Sequence, residues 1–501
     1  MNPLDAVINF FSPKAGLIRT QARHAQSIAQ RSYDAASGGR RNDGWWRPKT
    51  SAAQEVSKAA DTLAATGQEL CRNNPLAHRI KMIWAANIVG NGVRAEISTS
   101  NKRSRKKVND DFTNWAKSTN VDFEGQYNLY GLQWLWAATI VESGGVFIRR
   151  HVNNALAMPL QLQTIEQGML DKTKNEKASD GKGEIVDGVQ FDTNKQIEGY
   201  WIYQESPDGI ITNRQSNFHK RGSEIIHVFR KERAGQHLGI SWLAQSATAL
   251  NDYATLKDAK LMQQQILACM AVIIENAPSV MGTGTTVSDG MNVDSIEPGM
   301  VEYVKEGTKV HTVTPPSGND NGLFTTNLKD DIAIGAGLAS SQMTGDYSKL
   351  NFASGRMSKI EFFQVLDFAQ DLMMLPALDN VFSWFELVYG LTNNNRSKIT
   401  VEWTFPPRGV VQPGEELEVN IKKTRAGIIS PSKLNKMYGT NLGDVVDQWK
   451  LDKVTFGGLP FDVDPSLFSM AGNQLNTDDA ASSNTQVDNS TDKVDNGDSN
   501  E

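Results

Sequence analysis

Residues that could carry chemistry are few and scattered in this chain of 501 residues. No segment matches G-x-x-x-x-G-K-[ST], in which backbone amides cradle phosphates and a lysine reaches them. The nearest stretch, GTGTTVSDG at 282–290, lacks the lysine and is predicted to be a flexible loop. We therefore do not predict nucleotide hydrolysis.

Metal and nucleophile patterns are missing from the sequence as well. Neither H-E-x-x-H nor G-x-S-x-G occurs. His219 and His227 stand eight residues apart across a strand boundary, which favours surface or strand positions over ligation. Asp330 and Asp331 could bind magnesium, but no acidic cluster supports them. We predict no enzyme activity, no cofactor and no metal site.

Basic residues are concentrated in two places. Residues 14–49 contain eight basic and two acidic residues, a local net charge of +6. The run NKRSRKK at 101–107 could attract phosphates, although such a run is more often a solvated loop. Because the whole chain has a formal net charge of -6, we do not predict a dedicated nucleic-acid-binding protein.

The overall composition is that of an ordinary globular protein, with 39% hydrophobic and 22% charged residues. Cys71 and Cys269 lie far apart in sequence, which fits a reducing compartment, and we predict that both are buried thiols. The most apolar window, ILACMAVII at 266–274, is too short to cross a bilayer, and the N-terminus does not resemble a signal peptide. We expect a protein that stays where it is made.

The element pattern predicts an α+β protein. Residues 50–150 show mostly helical spacing, and 145–230 contain short strand-like runs between turns. A long helix is predicted from a cap at Ser241, followed by a turn-rich segment at 276–322. A helix with a possible capping box at Ser358 and Glu361 should bend at Pro376.

Between the helices lies MTGDYSKLNFASGR at 343–356, which predicts a polar, projecting loop. Read without further context, it is more often a plain connector than a functional loop. Residues 471–501 contain seven acidic residues, one lysine and no aromatic residue, and predict a disordered acidic tail.

Five segments, in the order of the chain, resemble the lambda family of tailed-phage portal proteins. They are YDAASGGRRNDGWW at 33–46, CRNNPLAHRIKMIWAANIVGNGV at 71–93, GISWLAQ at 239–245, MTGDYSKLNFASGRMSKIE at 343–361 and RAGIISPSKLNKMYG at 425–439. The resemblance implies the portal fold, with a wing, helical stem, clip, tunnel loop and long kinked helix, assembled as a ring usually of twelve subunits. It also implies a DNA channel at one capsid vertex and no ATPase of its own, since that activity belongs to the terminase.

The resemblance implies a division of the chain into segments, and the composition defines the basic segment at its start and the acidic segment at its end. The segments are a basic N-terminal arm (1–49), the wing (50–240), stem helix 1 (241–270), the clip (271–322), stem helix 2 (323–340), the tunnel loop (341–354), the long kinked helix (355–392), a crown-side region (393–470) and the acidic tail (471–501).

Two sets of site residues follow from this division. The tunnel loop is expected to face DNA through Asp346, Tyr347, Ser348 and Lys349. The clip is expected to dock the terminase and, later, an adaptor through Glu297, Glu302, Lys305, Glu306 and Lys309. A lining with one lysine rather than a basic cluster suits sliding DNA, because neutralising many phosphates would grip the duplex.

The implied partners are further copies of the chain, the major capsid protein, the terminase large subunit, a head-completion or adaptor protein and double-stranded DNA, with no membrane. The implied location is the portal vertex of the virion, with assembly in the host cytoplasm. Two alternatives remain open: a metal-dependent DNA-processing enzyme and a monomeric capsid adaptor or scaffold.

Overall fold

The computed structural model describes residues 48–99, 102–179, 183–206, 215–268, 272–275, 301–304, 321–348, 350–393, 399–409 and 412–457, with five isolated positions before residue 48. The chain divides into two compact units, Met1–Gln54 and Glu55–Glu501. Of the first unit, the structure describes residues 48–54 and those isolated positions. The second unit is a mixed helical and sheet structure.

Among the described residues before 230, the structure has four α-helices and eight strands, with two short 3-10 helices at Thr119–Val121 and Gln167–Met169. The helices are α1 (Ala52–Asn73), α2 (Pro75–Val89), α3 (Lys102–Lys117) and α4 (Leu129–Ser143). The strands are β1 (Arg94–Thr99), β2 (Gly145–His151), β3 (Gln161–Glu166), β4 (Ile185–Val186), β5 (Val189–Phe191), β6 (Ile197–Tyr203), β7 (Ser216–Lys220) and β8 (Ile225–Phe229). Strands β3-β2-β8 and β4-β5-β6-β7 form two antiparallel sheets.

Helix α4 lies at the centre of this part because its sequence, LYGLQWLWAATIVES, is apolar around most of its circumference. Asn128 caps it by accepting a hydrogen bond from the Gly131 amide at 2.9 Å. Gly144 ends it with φ of +96°, and a Cβ there would lie 2.5 Å from the Ile240 backbone. A side chain at position 144 would therefore separate α4 from the chain that enters the next helix.

The basic run at 101–107 is not a loop as expected, because residues from Lys102 onward form the first turns of α3. The apolar residues that follow explain this difference: Val108, Phe112, Trp115 and Ala116 are buried at helical spacing. Their packing extends the helix back through the basic residues, of which Arg105 pairs with Glu96 at 3.0 Å.

Two antiparallel helices follow, α5 (Ala247–Ala268) and α6 (Asn321–Gly335). Ser241 is not the cap of α5, since the helix begins six residues later; its hydroxyl instead accepts from the Leu243 amide at 3.2 Å. Ser246 Oγ donates to the Ile332 carbonyl at 2.8 Å, and Lys260 Nζ donates to Thr325 Oγ1 at 2.9 Å. The first bond ties the residue before α5 to the last turn of α6, and the second joins α5 to the first half of α6.

Within residues 271–322 the structure describes two strands and the first residues of α6. The strands β9 (Val272–Glu275) and β10 (Val301–Val304) pair in parallel, with Val272 opposite Val301. Cys269 and the stretch at 282–290 lie outside the described residues. Most of the expected clip at 271–322 therefore lies outside the described residues.

The short helix α7 (Ser340–Thr344) precedes a long helical segment. That segment consists of α8 (Phe352–Ala369), a π-helical turn (Gln370–Met374) and α9 (Leu375–Asn393). Asn351, rather than Ser358, caps α8, accepting from the Ser354 amide at 2.8 Å. The irregularity precedes Pro376, which cannot donate the amide hydrogen bond that a regular helix needs there.

The chain closes with strand β11 (Ile399–Thr404) and helices α10 (Pro413–Arg425), α11 (Pro431–Met437) and α12 (Leu442–Thr455). Strand β11 pairs antiparallel with β1 along its full length, from Arg94 opposite Thr404 to Thr99 opposite Ile399. The sequence predicted mostly helical structure for residues 50–150 and did not predict strand β1. This pairing joins the C-terminal part of the chain to its beginning.

Over its described residues, two apolar cores hold the second unit together. The larger combines α2, α3 and α4 with α6, α8 and α9. The smaller lies among the strands and includes Phe147, Ile165, Tyr200 and Leu238.

Candidate functional site

The loop at residues 345–351 leaves the body between α7 and α8. Gly345 begins it with φ of +77° and donates its amide to the Ser341 carbonyl at 2.8 Å, which ends α7. The loop is shorter than the expected tunnel loop at 341–354, because residues 341–344 and 352–354 are helical. Both ends of the loop are therefore held by helices.

Internal hydrogen bonds shape this loop. The Asp346 carboxylate accepts from the Ser348 amide at 3.0 Å and from the Ser348 hydroxyl at 2.6 Å. The Leu350 amide donates to the Tyr347 carbonyl at 3.1 Å, which closes a turn. Tyr347 is 58% exposed. The loop thus presents a phenol ring and a carboxylate whose Oδ1 is engaged locally.

The structure brings together three of the nine expected site residues. Asp346, Tyr347 and Ser348 are exposed on the loop, and Lys349 lies outside the described residues. Of the five clip residues, Glu302 lies in β10. The other four, Glu297, Lys305, Glu306 and Lys309, also lie outside the described part of the chain.

Arg79 of α2 supports the base of the loop and was not expected from the sequence. Its Nε donates to the Gln342 carbonyl at 3.4 Å. A Cβ at Gly345 would stand 3.2 Å from its Nη2. The contact joins positions 263 residues apart, so no local pattern could have indicated it.

Trp84, one turn beyond Arg79 on α2, fixes the helices below the loop. Its ring meets Trp242 edge to face at 4.8 Å and Phe362 of α8 at 5.3 Å. Its Nε1 donates to the Ala336 carbonyl, at the end of α6, at 3.0 Å. One buried side chain therefore contacts the chain entering α5, the turn after α6 and the helix after the loop.

Gln370, in the π-helical turn, also joins distant helices, through hydrogen bonds of its side chain. Its side-chain amide donates to the carbonyls of Asn87 at 3.2 Å and Ile88 at 3.0 Å. These carbonyls belong to the last turn of α2, where a regular helix leaves them unsatisfied. The π-helical turn thus connects the long helix to the helix that carries Arg79 and Trp84.

Perturbed titrating groups lie away from this loop. Burial lowers the pKa of His227 in β8 to about 3, with His237 and Arg221 acting in the same direction. Burial lowers the pKa of His219 in β7, and Arg149 contributes. Burial raises the pKa of Cys71 to about 12, which fits the expected buried thiol.

Within the described part of the chain, no group of three His, Cys, Asp or Glu side chains is placed to hold a metal ion. No described helix combines the length and apolar character needed to cross a membrane.

Large apolar side chains are exposed on the helices around the loop. Five of them lie along one side of α8 and the π-helical turn: Met357, Ile360, Val365, Phe368 and Leu372. Others lie on α5 and α6, where Leu261, Met262, Leu323 and Phe324 are each more than half exposed. So much exposed apolar surface is typical of a contact with another protein chain.

Comparison with known proteins identifies the family. Residues 38–370 match the family described as phage portal protein, lambda family. A protein of Halomonas phage phiHAP-1 described as "Probable portal protein" is 24% identical over 359 residues, covering 68% of this chain and 69% of that protein.

Solved structures with a similar course of the chain come from gene transfer agent (GTA) particles. The neck of an empty GTA particle computed with C6 symmetry gives a TM-score of 0.41 at 13% identity, covering 76% of this chain and 94% of the other. The neck of the native GTA particle computed with C12 symmetry gives 0.40 at 14% identity, covering 82% and 99%. Likeness at this level carries no conclusion about assembly. The family match, which spans most of the chain, establishes that this protein belongs to the lambda family of phage portal proteins.

Proposed function

We propose that this portal protein assembles into a ring that forms the DNA channel at one vertex of a phage capsid. The match of residues 38–370 to the portal family carries the proposal. In this role the protein conducts DNA during packaging and ejection and connects head to tail. It acts as a structural component, and the terminase supplies the ATPase.

The exposed apolar side chains on α5, α6 and α8 support assembly from several copies. Phe324 is 58% exposed and Leu261 is 58% exposed, and burial of such side chains contributes about 25 cal/mol per Å². A neighbouring copy of the same chain supplies a matching surface, as closed symmetric rings require. Gln264 and Gln265 of α5, also exposed, suit the wet edge of such a contact.

The loop at 345–351 is proposed to face the DNA. Its exposed Tyr347 and the locally bonded Asp346 offer contacts to a duplex without a cluster of cations. Lys349 is the one basic residue in the loop and is proposed to touch phosphates. A single cation per subunit limits the counterion release that would hold DNA in place.

The proposed partners bind at other parts of the chain. The segment 271–322, with Glu302 in β10, is proposed to dock the terminase large subunit during packaging and a head-completion protein afterwards. The major capsid protein is the proposed neighbour at the vertex. Assembly is proposed to take place in the host cytoplasm and to end in the virion.

Mass photometry and electron microscopy of the purified full-length chain test the proposal. We expect a closed particle of several subunits with rotational symmetry. A folded monomer at every concentration would instead favour a capsid adaptor, and metal-dependent cleavage of DNA by the pure protein would favour a nuclease.

A further inference from the structure

A cleft of about 790 Å³ lies between α8, the chain after β11, and helices α10 and α11. Its volume falls within the range of about 300–1,000 Å³ that is common for binding pockets. It is separate from the loop at 345–351. Its apolar lining includes Ile360, Phe363, Trp403, Phe405, Met437 and Tyr438.

Packing and polar contacts hold the floor of this cleft in place. Phe363, Trp403 and Phe405 pack against the larger core, and Trp403 Nε1 donates to Asp379 Oδ1 at 2.8 Å. The Arg408 guanidinium lies 5.1 Å from the centre of the Phe363 ring and pairs with Asp367. An apolar ligand would therefore meet a surface that is already formed.

Three lining side chains from two sides of the cleft expose apolar surface toward solvent. Ile360 of α8 is 44% exposed, Met437 of α11 is 45% exposed and Tyr438 is 39% exposed. Of these, the unbranched side chain of Met437 can adapt its shape to an apolar residue.

The rim of the cleft is basic. Six basic and four acidic residues line it, whereas the whole chain is net acidic. Arg408 and Lys436 are paired, the latter with Glu402 and Glu96. Over the described residues, the remaining four basic residues form no ion pair: Arg356, Lys359, Lys423 and Lys433. An acidic ligand would therefore be attracted to this rim.

The chain itself contains a segment of matching chemistry. Residues 458–470, GLPFDVDPSLFSM, combine Leu459, Phe461, Val463, Leu467 and Phe468 with two aspartates and no basic residue. Further acidic residues follow, beginning with Asp478 and Asp479. We propose that residues 459–479 dock in this cleft, with apolar side chains on the aromatic floor and aspartates near the rim.

The chain that follows α12 is long enough to return to the cleft. The turn that lines the cleft ends at Tyr438, and the chain then runs through α12 to Gly457. Helix α12 has 14 residues and spans about 21 Å, which about seven extended residues can retrace. Leu467 and Phe468 are therefore far enough along the chain for docking in the cleft of their own subunit, and a neighbouring copy offers the same cleft.

Photo-crosslinking in the full-length chain tests the proposal. The photoreactive amino acid p-benzoylphenylalanine replaces Phe468, and mass spectrometry locates its crosslinks. We expect crosslinks to the cleft residues of α8 and α11, with Met437 among them. The same probe placed at Asn484, beyond the proposed segment, should give several-fold fewer crosslinks to these residues.

Charge reversal provides a second measurement. Lys423→Glu with Lys433→Glu should lower the crosslink yield several-fold, since both side chains lie on the rim. Lys422→Glu is the matched control: it stands beside Lys423 on α10, pairs with Glu418 and does not line the cleft. A reciprocal probe at Met437 should crosslink to residues 459–479 and should lose this product with Phe468→Ser.

Mixing ¹⁵N-labelled and unlabelled chains shows whether the segment comes from the same subunit or a neighbour, and either result supports the proposal. Crosslinks from position 468 that avoid the cleft would overturn it. A crosslink yield that stays unchanged in the variant with Lys423→Glu and Lys433→Glu would also overturn the proposal. Neither measurement requires portal activity, so failure of this proposal is distinguishable from failure of the proposed function.

Discussion

At the scale of single residues, Trp84 has the largest expected influence on the arrangement below the loop. It is 1% exposed and joins α2 to Trp242, Phe362 and the Ala336 carbonyl. We expect Trp84→Ala to lower the free energy of unfolding by about 3–5 kcal/mol through loss of packing. Trp84→Phe, which removes the hydrogen bond and part of the ring, should cost about 1–3 kcal/mol.

Urea denaturation followed by tryptophan fluorescence and circular dichroism measures both changes. Trp449→Phe is the control, because Trp449 lies on α12 and is 38% exposed. The free energy of unfolding of this control should change little, by about 0.5 kcal/mol or less. Equal effects at positions 84 and 449 would contradict the central role of Trp84.

His227 makes the stability of the sheet region depend on pH. Its pKa is lowered to about 3 in the folded protein, whereas the unfolded chain binds a proton near pH 6.5. The unfolded state therefore binds more protons between these values, and stability falls as the pH drops from about 6.5 toward 3. One such group changes the free energy of unfolding by up to about 1.4 kcal/mol per pH unit.

Replacing the imidazole tests this dependence. His227→Gln should flatten the loss of stability between pH 6.5 and 4.5, measured as the urea midpoint at each pH. His78→Gln is the control, since His78 is exposed on α2. An unchanged slope in His227→Gln would contradict the assignment.

At the scale of elements, the π-helical turn at Gln370–Met374 holds the long helix to α2 through Gln370. Gln370→Leu leaves the carbonyls of Asn87 and Ile88 without these donors. We expect a loss of about 1–3 kcal/mol and faster amide exchange in the last turn of α2. Asp371→Asn, at the exposed neighbouring position, should leave exchange in α2 unchanged.

The loop at 345–351 is expected to matter for DNA rather than for folding. Deleting residues 345–351 should leave assembly nearly intact, since an exposed polar loop buries little apolar area. DNA packaging or retention should fall. Lys349→Ala should weaken DNA contact modestly, and Lys349→Glu should weaken it further through repulsion of phosphates.

Packaging of DNA into proheads that carry each variant measures these effects. Lys422→Ala and Lys422→Glu serve as the matched controls for the two Lys349 variants, because Lys422 is an exposed lysine on α10, outside the loop. Deletion particles that assemble, package and retain DNA at the level of the unmodified protein would make this loop a plain connector.

At the scale of the whole molecule, assembly should depend on the exposed apolar side chains of helices α5 and α6. Phe324→Asp and Leu261→Asp place a charge where a neighbouring copy is proposed to pack. We expect smaller particles in mass photometry while circular dichroism stays unchanged, because neither side chain lies in the core of one chain. Gln264→Glu, on the same exposed surface of α5, is the control. Rings that survive both aspartate variants would place the subunit contact elsewhere.

The sequence by itself determined the family, the mixed helical and sheet character and the position of the polar loop. These features depend on local signals: ordered motifs, hydrophobic periodicity and a polar run between helices. The sequence determined the starts of the helices less well. Ser241 and Ser358 both fit capping patterns, but α5 begins at Ala247 and α8 is capped by Asn351.

Only the tertiary structure decided how distant parts meet. Strand β1 forms because β11, about 300 residues later, pairs with it, and no local pattern carries that information. Along α8, Leu366 is buried and Val365 is exposed, although both are apolar, because the neighbouring helices cover one side of the helix. The contacts of Arg79, Trp84 and Gln370 likewise depend on helices brought together by folding, which is why sequence reasoning located the loop but not the residues that support it.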